Sequence, residues 1–263
     1  MDSGKMGAMR CLYLYLIGYI ARALLSLRYK VVIRGWEELI EKTKDFKGIL
    51  FIPNHTAHID PMILLAWFWP KFKMRPMIVE YISHIPLLGL SIPLIRGVLM
   101  PNFESSMNQY KVKKGEKVLQ TVIDGLEEGD RFVIFPSGRF KSEGKEHLSG
   151  ASGIHTLIQK KPDTHVVLVR FSGLWGSSFS KALTGKTPNI AEQVKQGALV
   201  FLKNLLFFTP RRKIYIDLAA DPKDLPRPGN RVAFNRFLEN WYNHYVDDVG
   251  CIHASEPLKL VRN

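Results

Sequence analysis

The chain has 263 residues, a length that suits one large α/β domain or two small ones. Its 37 Lys and Arg residues exceed its 24 Asp and Glu residues, and the formal net charge of +13 favours an acidic partner: anionic lipid, nucleic acid or an acidic carrier protein. The only two cysteines, Cys11 and Cys251, form no CxxC pair, so the composition indicates neither a structural zinc site nor a disulfide framework. A reducing, cytoplasmic setting fits best.

The first predicted element is an apolar helix near the N-terminus. The run Cys11–Leu27 is interrupted by Arg22 and is shorter than the roughly 20 apolar residues that a spanning helix needs. A signal peptide is an alternative, because basic residues precede the run. We expect a helix in the membrane interface, anchored by Arg22, Arg28 and Lys30, and therefore a protein at the cytoplasmic face of the membrane, peripheral or N-terminally anchored.

Strand and helix patterns alternate along the rest of the chain. Strands are predicted at Tyr29–Gly35, Gly48–Asn54, Met74–Tyr81, Arg131–Pro136, His165–Phe171 and Lys213–Ala219. Helices are predicted at Trp36–Asp45, from Asp60 onward, and at Ser105–Leu126, Gly150–Lys161, Ala191–Phe208 and Val232–Val249, with short helices or loops over Ile85–Met100. This order predicts a single α/β domain, with a mixed, mostly parallel sheet flanked by helices and preceded by the interfacial helix.

Two loops beyond predicted strands carry polar residues, and reactive groups in such sheets collect at the strands' carboxyl ends. In the first loop, His55 and Asp60 are five positions apart. They would not meet in a regular helix, but they can meet where a loop closes onto a helix start. A carboxylate that holds one imidazole nitrogen lets the other take a proton from an alcohol. Alternatively, Asp60 is only a helix N-cap and His55 only a turn residue.

The second loop is Pro136-Ser137-Gly138-Arg139. A tight turn of this kind exposes backbone N–H groups that can cradle a phosphate, which Arg139 can also grip in a bidentate manner. A plain surface turn is the alternative. No metal site is predicted, because His55 and His58 have no third ligand at a suggestive spacing.

The pattern Asn54-His55-x4-Asp60 after an apolar strand resembles the first motif of the glycerolipid acyltransferase superfamily, which includes bacterial lysophosphatidate acyltransferases. The resemblance spans approximately Tyr29 to Ala220 and implies that His55 is the catalytic base and Asp60 its partner. It implies no cofactor beyond the acyl thioester co-substrate.

The later motifs resemble the family with departures. Phe135–Arg139 looks like the family's Phe-Pro-Glu-Gly-Thr-Arg motif, but Ser137 replaces Glu and the Thr is missing. A shortened Gly-Arg form also occurs in the acyltransferase half of acyl-ACP synthetase fusions. Glu143 is a candidate substitute for the missing carboxylate. Arg96 occupies the position of a family arginine that helps to hold the acceptor's phosphate, with membrane contact as its alternative role.

The resemblance implies transfer of a fatty acyl group from acyl-CoA or acyl carrier protein to the free hydroxyl of 1-acyl-sn-glycerol-3-phosphate, in phospholipid biosynthesis. The expected partners are the lysophospholipid, the thioester donor and an anionic membrane surface; nucleic acid is not expected, because no recognisable motif supports it. The expected divisions are a membrane-associating segment (1–28), an acyltransferase domain (29–250) and a tail (251–263). Two alternatives are another lysophospholipid acceptor, such as lysophosphatidylethanolamine, and a non-catalytic basic membrane-binding protein.

Overall fold

The computed structural model describes residues 3–85, 88–103, 108–141, 144–183, 185–186, 189–203, 211–227 and 229–244. The predictions for Glu143, Cys251, the tail 251–263 and residues 204–208 of the predicted helix Ala191–Phe208 lie outside these residues. The division at residues 28 and 250 stays a prediction.

Helices and strands alternate along the described residues. The helices are α1 (Ser3–Arg28), α2 (Trp36–Thr43), α3 (Asp60–Phe72), α4 (Leu88–Leu94), α5 (Gln109–Glu128), α6 (Gly153–Lys160), α7 (Ile190–Lys203) and α8 (Arg231–Asn243). The strands are β1 (Tyr29–Arg34), β2 (Ile49–Pro53), β3 (Arg75–Val79), β4 (Val98–Met100), β5 (Arg131–Val133), β6 (His165–Ser172) and β7 (Arg212–Ala220). Short 3₁₀ turns lie at Glu80–His84 and Lys181–Leu183.

The described strands form one seven-stranded sheet in the order β1-β7-β6-β2-β5-β3-β4. Strands β2 to β6 run parallel, whereas β7 runs antiparallel to β6 and parallel to β1. All five residues of the central strand β2 are buried, as expected of a strand covered on both faces. The predicted α/β class with a mixed, mostly parallel sheet is therefore confirmed.

Two apolar layers cover the sheet. On one face, alternate residues such as Leu50 and Phe132 pack in a core cluster with buried residues of α5, α6 and α8. On the other face, Phe51 and Val167 belong to a cluster with α2 and α3. The period-2 alternation of strand side chains places successive residues in different layers. The result is a three-layer arrangement with the sheet in the middle.

Helix α1 packs beside α3 through aromatic side chains. The Tyr15 hydroxyl donates to the Pro70 carbonyl at 3.1 Å, and its ring contacts Trp69 edge-on at 5.7 Å. The Lys73 ammonium lies 3.6 Å from the Tyr15 ring centroid. The window Cys11–Arg28 is the one stretch in the described chain that is long and apolar enough to cross a membrane, and 6% of it is buried.

Two predictions of local structure need correction. The segment Val98–Met100 is a strand, where short helices or loops were expected. Asp60 is the first residue of α3, whose N-cap is Ile59, so Asp60 is not the N-cap. Its carboxylate instead turns back to the loop that precedes the helix.

Candidate active site

The two candidate loops meet at the carboxyl ends of two neighbouring strands, β2 and β5. β2 and β5 are parallel neighbours, and the chain leaves both strands at the same end. Beyond the strands, the Ile134 N–H donates to the Phe51 carbonyl at 3.0 Å, and the Lys141 N–H donates to the His55 carbonyl at 3.0 Å. The expectation that both loops lie at the strands' carboxyl ends is confirmed.

Asn54 fixes the point at which the chain leaves β2. Its buried amide accepts a hydrogen bond from the Phe171 N–H at 2.7 Å and donates one to the Phe171 carbonyl at 3.1 Å. Both bonds reach the neighbouring strand β6, so the residue that precedes His55 is tied to the sheet by two directed contacts. The position of His55 is therefore defined by the sheet.

His55 and Asp60 are in contact. The imidazole Nδ1 lies 3.2 Å from Asp60 Oδ2, a geometry that suits an Nδ1–H donor and leaves the lone pair on Nε2. The Asp60 side chain is fully buried, and the His55 side chain is 13% exposed. The same Oδ2 accepts the N–H groups of Thr56 and Ala57, at 2.5 and 2.8 Å. The loop thus closes onto the start of α3, and the two side chains meet.

Aromatic rings surround the imidazole. The ring centroids of Phe135 and Phe140 lie 4.2 and 4.1 Å from that of His55, and Phe140 also packs edge-on against His58. Burial lowers the pKa of His58, and the neighbouring His55 lowers it further. His55 therefore lies in an apolar recess with limited solvent access, where a proton acceptor and a lipid could meet.

The turn after β5 is held by its own hydrogen bonds. The Ser137 hydroxyl donates to the Arg139 carbonyl at 2.6 Å, and the Gly138 N–H donates to the Phe135 carbonyl at 3.2 Å. Pro136 is buried, whereas Gly138 and Arg139 are exposed. Gly138 has φ +64° with open space around it, a conformation that other L residues rarely adopt. The Gly138 N–H is already bonded within the turn and is not available to a phosphate, whereas the Arg139 side chain is exposed; the predicted backbone cradle stays a prediction.

Arg96 lies at the other end of the sheet. Its guanidinium pairs with the carboxylate of Asp130 at 2.9 and 3.0 Å. Asp130 directly precedes β5 and Arg96 precedes β4, so both lie at the amino ends of parallel strands. His55 lies at the opposite, carboxyl ends. The prediction that Arg96 joins His55 at the acceptor's phosphate is therefore wrong.

Two charged residues beside His55 were missed from the sequence. The carboxylate of buried Glu146 accepts the His55 N–H at 3.2 Å. Burial raises the pKa of Glu146 to about 7 and lowers the pKa of part-buried Lys141 to about 8. Neither residue belongs to a recognisable motif, and Glu146 is 91 positions from His55, so no local pattern could have identified the contact.

No metal centre is apparent in the described ranges, since no group of three or more His, Cys, Asp or Glu side chains there could hold an ion. The arrangement instead offers an imidazole with one nitrogen held by a carboxylate, an apolar recess, and an exposed guanidinium on the adjoining turn. That combination suits proton removal from a hydroxyl group on an amphiphilic, anionic molecule.

Comparisons with known proteins bear on the fold and on the family. Curated proteins gave no match. Among solved structures, PlsC from Thermotoga maritima, described as a 1-acyl-sn-glycerophosphate acyltransferase, is similar with a TM-score of 0.57 and 18% sequence identity, over 94% of this chain and 85% of that one. At that identity the likeness shows the fold.

The family model described as Acyltransferase matches residues 33–172, just over half of the chain. The matched range contains β2, His55, Asp60 and the whole turn after β5. The resemblance drawn from the sequence motifs is thereby confirmed at the level of the family, and the chain belongs to the acyltransferase family.

Proposed function

We propose that this enzyme transfers a fatty acyl group from an acyl thioester, acyl-CoA or acyl carrier protein, to the free hydroxyl of 1-acyl-sn-glycerol-3-phosphate. The reaction belongs to phospholipid biosynthesis and takes place at the cytoplasmic face of a membrane. The observation that carries the proposal is the contact between His55 Nδ1 and the fully buried Asp60. It lies at the carboxyl ends of the strands, where Arg139 is also exposed. The description of the similar PlsC structure supports the choice of acceptor.

The reaction is a direct transfer. The acceptor hydroxyl lies against His55 Nε2, which takes its proton as the oxygen attacks the thioester carbonyl carbon. The tetrahedral intermediate collapses, the C–S bond breaks, and the imidazolium returns the proton to the leaving thiolate. Asp60 fixes the tautomer and stabilises the imidazolium while it exists. The ester and the free thiol are the products, and no covalent acyl-enzyme is needed.

Arg139 supports recognition of the acceptor's phosphate. It is the exposed cation on the turn next to His55, and a guanidinium can bind a phosphate through two parallel hydrogen bonds. Correct positioning of the acceptor lowers the barrier because the hydroxyl then meets the base in a reactive geometry.

A second candidate acceptor is another lysophospholipid, such as lysophosphatidylethanolamine. The observation that favours it is the pairing of Arg96 with Asp130 at the far end of the sheet, which removes one of the two arginines expected at the phosphate. A phosphodiester headgroup carries less charge than a phosphomonoester and needs fewer cationic partners.

The test uses the purified full chain with acyl-CoA or acyl carrier protein as donor, a panel of lysolipids, and mass spectrometry of the lipid products. We expect wild-type protein to form diacyl product and His55→Ala to lose turnover by about 10²- to 10⁴-fold, because its general base is gone. Binding of lysolipid should survive. Undiminished turnover in His55→Ala would remove the assignment of the base, and a wild-type chain without turnover would favour a non-catalytic, membrane-binding role.

The same panel tests Arg139. We expect Arg139→Ala to raise the KM for lysophosphatidate by about tenfold, because a charge-assisted contact to the phosphate is lost. The matched control is Lys145→Ala, which removes an exposed cation from the same segment of chain. If both variants show the wild-type KM for every acceptor, the phosphate role of Arg139 is wrong. A product profile dominated by the ethanolamine lipid would select the second candidate acceptor.

A further inference from the structure

The main chain of His55 is held from both sides by two residues of one segment, Lys141 and Glu146. The Glu146 carboxylate accepts the His55 N–H at 3.2 Å, and the Lys141 N–H donates to the His55 carbonyl at 3.0 Å. This segment follows the turn that carries Arg139. It therefore connects the two loops of the candidate site directly at the residue that carries the base.

Glu146 is itself firmly placed. Glu146 is 1% exposed, and its main chain is bound by the side chain of Asn243 at the end of α8. Asn243 Oδ1 accepts the Glu146 N–H at 2.7 Å, and Asn243 Nδ2 donates to the Glu146 carbonyl at 2.9 Å. The carboxylate thus projects toward His55 from a main chain that a packed helix anchors.

The N–H groups on either side of His55 have defined acceptors. The N–H groups of Thr56 and Ala57 bond to Asp60, whereas the Asn54 N–H bonds to the Val169 carbonyl in β6. Within the described part of the chain, the acceptor of the His55 N–H is the Glu146 carboxylate, 91 positions away in sequence. Removing that acceptor leaves a donor unpaired where solvent access is limited, and the loop can recover the bond only by moving.

We propose that Glu146 is a positioning residue for His55: by accepting the His55 N–H it fixes the loop so that the imidazole stays on Asp60 with Nε2 facing the acceptor hydroxyl. The inference rests on the proposed role of His55 as general base. A displacement of about 1 Å in a catalytic group can cost about 10²-fold in rate, so one hydrogen bond to the main chain of the base has a measurable effect.

The charges around Glu146 suit a fixed acceptor. Lys141 and Asp60 are the charged groups that act on it, the first attractive and the second repulsive. Because Lys141 offsets the two carboxylates, Glu146 can stay buried beside Asp60. A glutamine at this position keeps an oxygen that accepts the same N–H, whereas an aspartate keeps the charge but is shorter by one methylene group.

These two substitutions separate the hydrogen bond from the charge. We propose to measure kcat and KM for lysophosphatidate in Glu146→Gln, Glu146→Asp and Glu146→Ala, below the unfolding midpoint of every variant. The matched control is Glu239→Ala, because Glu239 accepts the Leu148 N–H at 2.6 Å, two positions beyond Glu146 in the chain. A second readout is the NMR signal of the His55 Nδ1–H proton, which reports the bond to Asp60.

We expect kcat to fall by about tenfold or more in Glu146→Ala and Glu146→Asp, with KM within about twofold of wild type, since the base is displaced and the acceptor site is kept. Glu146→Gln should restore most of kcat, and Glu239→Ala should keep it at an equal or lower unfolding midpoint. The Nδ1–H signal should be retained in Glu146→Gln and Glu239→Ala and lost in the other two variants.

The proposal is overturned if Glu146→Asp and Glu146→Ala keep the wild-type kcat and Nδ1–H signal. It is also overturned if Glu146→Gln loses as much as Glu146→Asp or more, because the charge would then be the property that matters. If Glu146→Ala does not fold, the comparison of Gln with Asp decides. If the wild type transfers no acyl group, the proposed function fails, and the NMR signal still decides whether Glu146 positions His55.

Discussion

The carboxylate of Asp60 contacts three groups through its Oδ2 atom. It accepts the N–H groups of Thr56 and Ala57, at 2.5 and 2.8 Å, and the His55 ring nitrogen lies 3.2 Å away. The first two contacts shape the loop, and the third holds the imidazole. Asp60 therefore has a structural function and a chemical function, and the two can be separated by substitution because only the chemical one requires a negative charge.

We predict that Asp60→Asn and Asp60→Ala both lose most of the wild-type kcat but differ in their free energy of unfolding. Asparagine retains an oxygen for the two loop N–H groups but no charge for the imidazolium, so kcat should fall by about 10²- to 10⁴-fold with the free energy of unfolding within about 1 kcal/mol of wild type. Alanine leaves two buried N–H groups unpaired and should cost about 2–5 kcal/mol.

Chemical denaturation and steady-state kinetics on the same preparations measure both effects. Wild-type turnover in Asp60→Asn would show that the charge is dispensable, and equal stability of the two variants would show that the loop contacts contribute little.

At the residue scale, the sequence identified the residues whose signal is local. His55 and Asp60 are separated by one short loop, so their spacing and their position after an apolar strand sufficed. Arg96 failed because its placement depends on β4, a three-residue strand that was not predicted and that puts Arg96 at the amino ends of the strands. Glu146 could not be found, because its contact with His55 exists only after β2 and β5 have paired.

At the scale of elements, α3 joins the site to the apolar helix α1. It begins at Asp60, and its last turn carries Trp69 and Pro70, which contact Tyr15 of α1. Lys73, just after the helix, adds a cation–π contact to the Tyr15 ring at 3.6 Å. One rigid helix thus fixes the distance between the apolar surface of α1 and the base, which suits an enzyme whose acceptor stays in a lipid layer.

The packing of α5 against the start of β2 requires a glycine at position 48. A Cβ on Gly48 would lie 2.1 Å from the Leu126 carbonyl oxygen, and main-chain atoms of a helix cannot give way cheaply. We predict that Gly48→Ala lowers the free energy of unfolding by about 1–3 kcal/mol, the usual range for overpacking. The control is Gly153→Ala at the start of α6, where a Cβ meets nothing within 4 Å.

Thermal and chemical denaturation of the two variants provide the measurement. Gly153→Ala should match the wild type or slightly exceed it, because alanine is the better helix former. A Gly48→Ala protein as stable as Gly153→Ala would contradict the close approach of β2 and α5.

Elements with a strong periodic pattern were predicted well, and those decided by tertiary contacts were not. The fully apolar β2 and the long helix α5 gave clear signals. The strand β4 is three residues long and lies among prolines and glycines, so no periodicity could mark it. The direction of β7, antiparallel to β6, was not predicted either, because the pattern along a strand is the same in both directions.

At the scale of the whole molecule, apolar and basic surfaces combine. The described side chains of α1 include seven exposed, large apolar ones: Leu12, Tyr13, Leu16, Ile17, Tyr19, Ile20 and Leu24. The net charge of +13 adds attraction to anionic lipid, at about 1 kcal/mol for each basic residue near the surface. Near the N-terminus of α5, Lys111 contacts Asn102 just beyond β4 and Lys114 contacts Glu80 just beyond β3. Both contacts lie at the carboxyl ends of the strands, as His55 does. Lys114 is paired with Glu80, so Lys111 and the exposed Arg139 are cations at this end of the sheet that suit an acceptor with an anionic headgroup.

At the same scale, the proposed membrane binding through α1 can be tested with two matched surface substitutions. Leu16 on α1 is 58% exposed and Val232 on α8 is 60% exposed, and α8 packs on the opposite face of the sheet from α3, beside which α1 lies. We predict that Leu16→Glu weakens binding to vesicles of phosphatidylcholine and phosphatidylglycerol by about tenfold or more, because burial of one leucine in lipid contributes about 1.5–3 kcal/mol. Val232→Glu adds the same charge on the other face and should keep binding close to wild type.

Co-sedimentation with vesicles measures the binding, and circular dichroism should show the same unfolding midpoint for both variants, since each site faces solvent. Binding of all three proteins should weaken when the salt concentration rises, because screening removes the electrostatic attraction while the apolar contact of α1 remains. Equal losses in the two variants would mean that net charge, and not the surface of α1, governs the association. Unchanged binding in Leu16→Glu would mean that a different surface meets the lipid, and the geometric link from α1 through α3 to Asp60 would then have no role in bringing the base to the membrane.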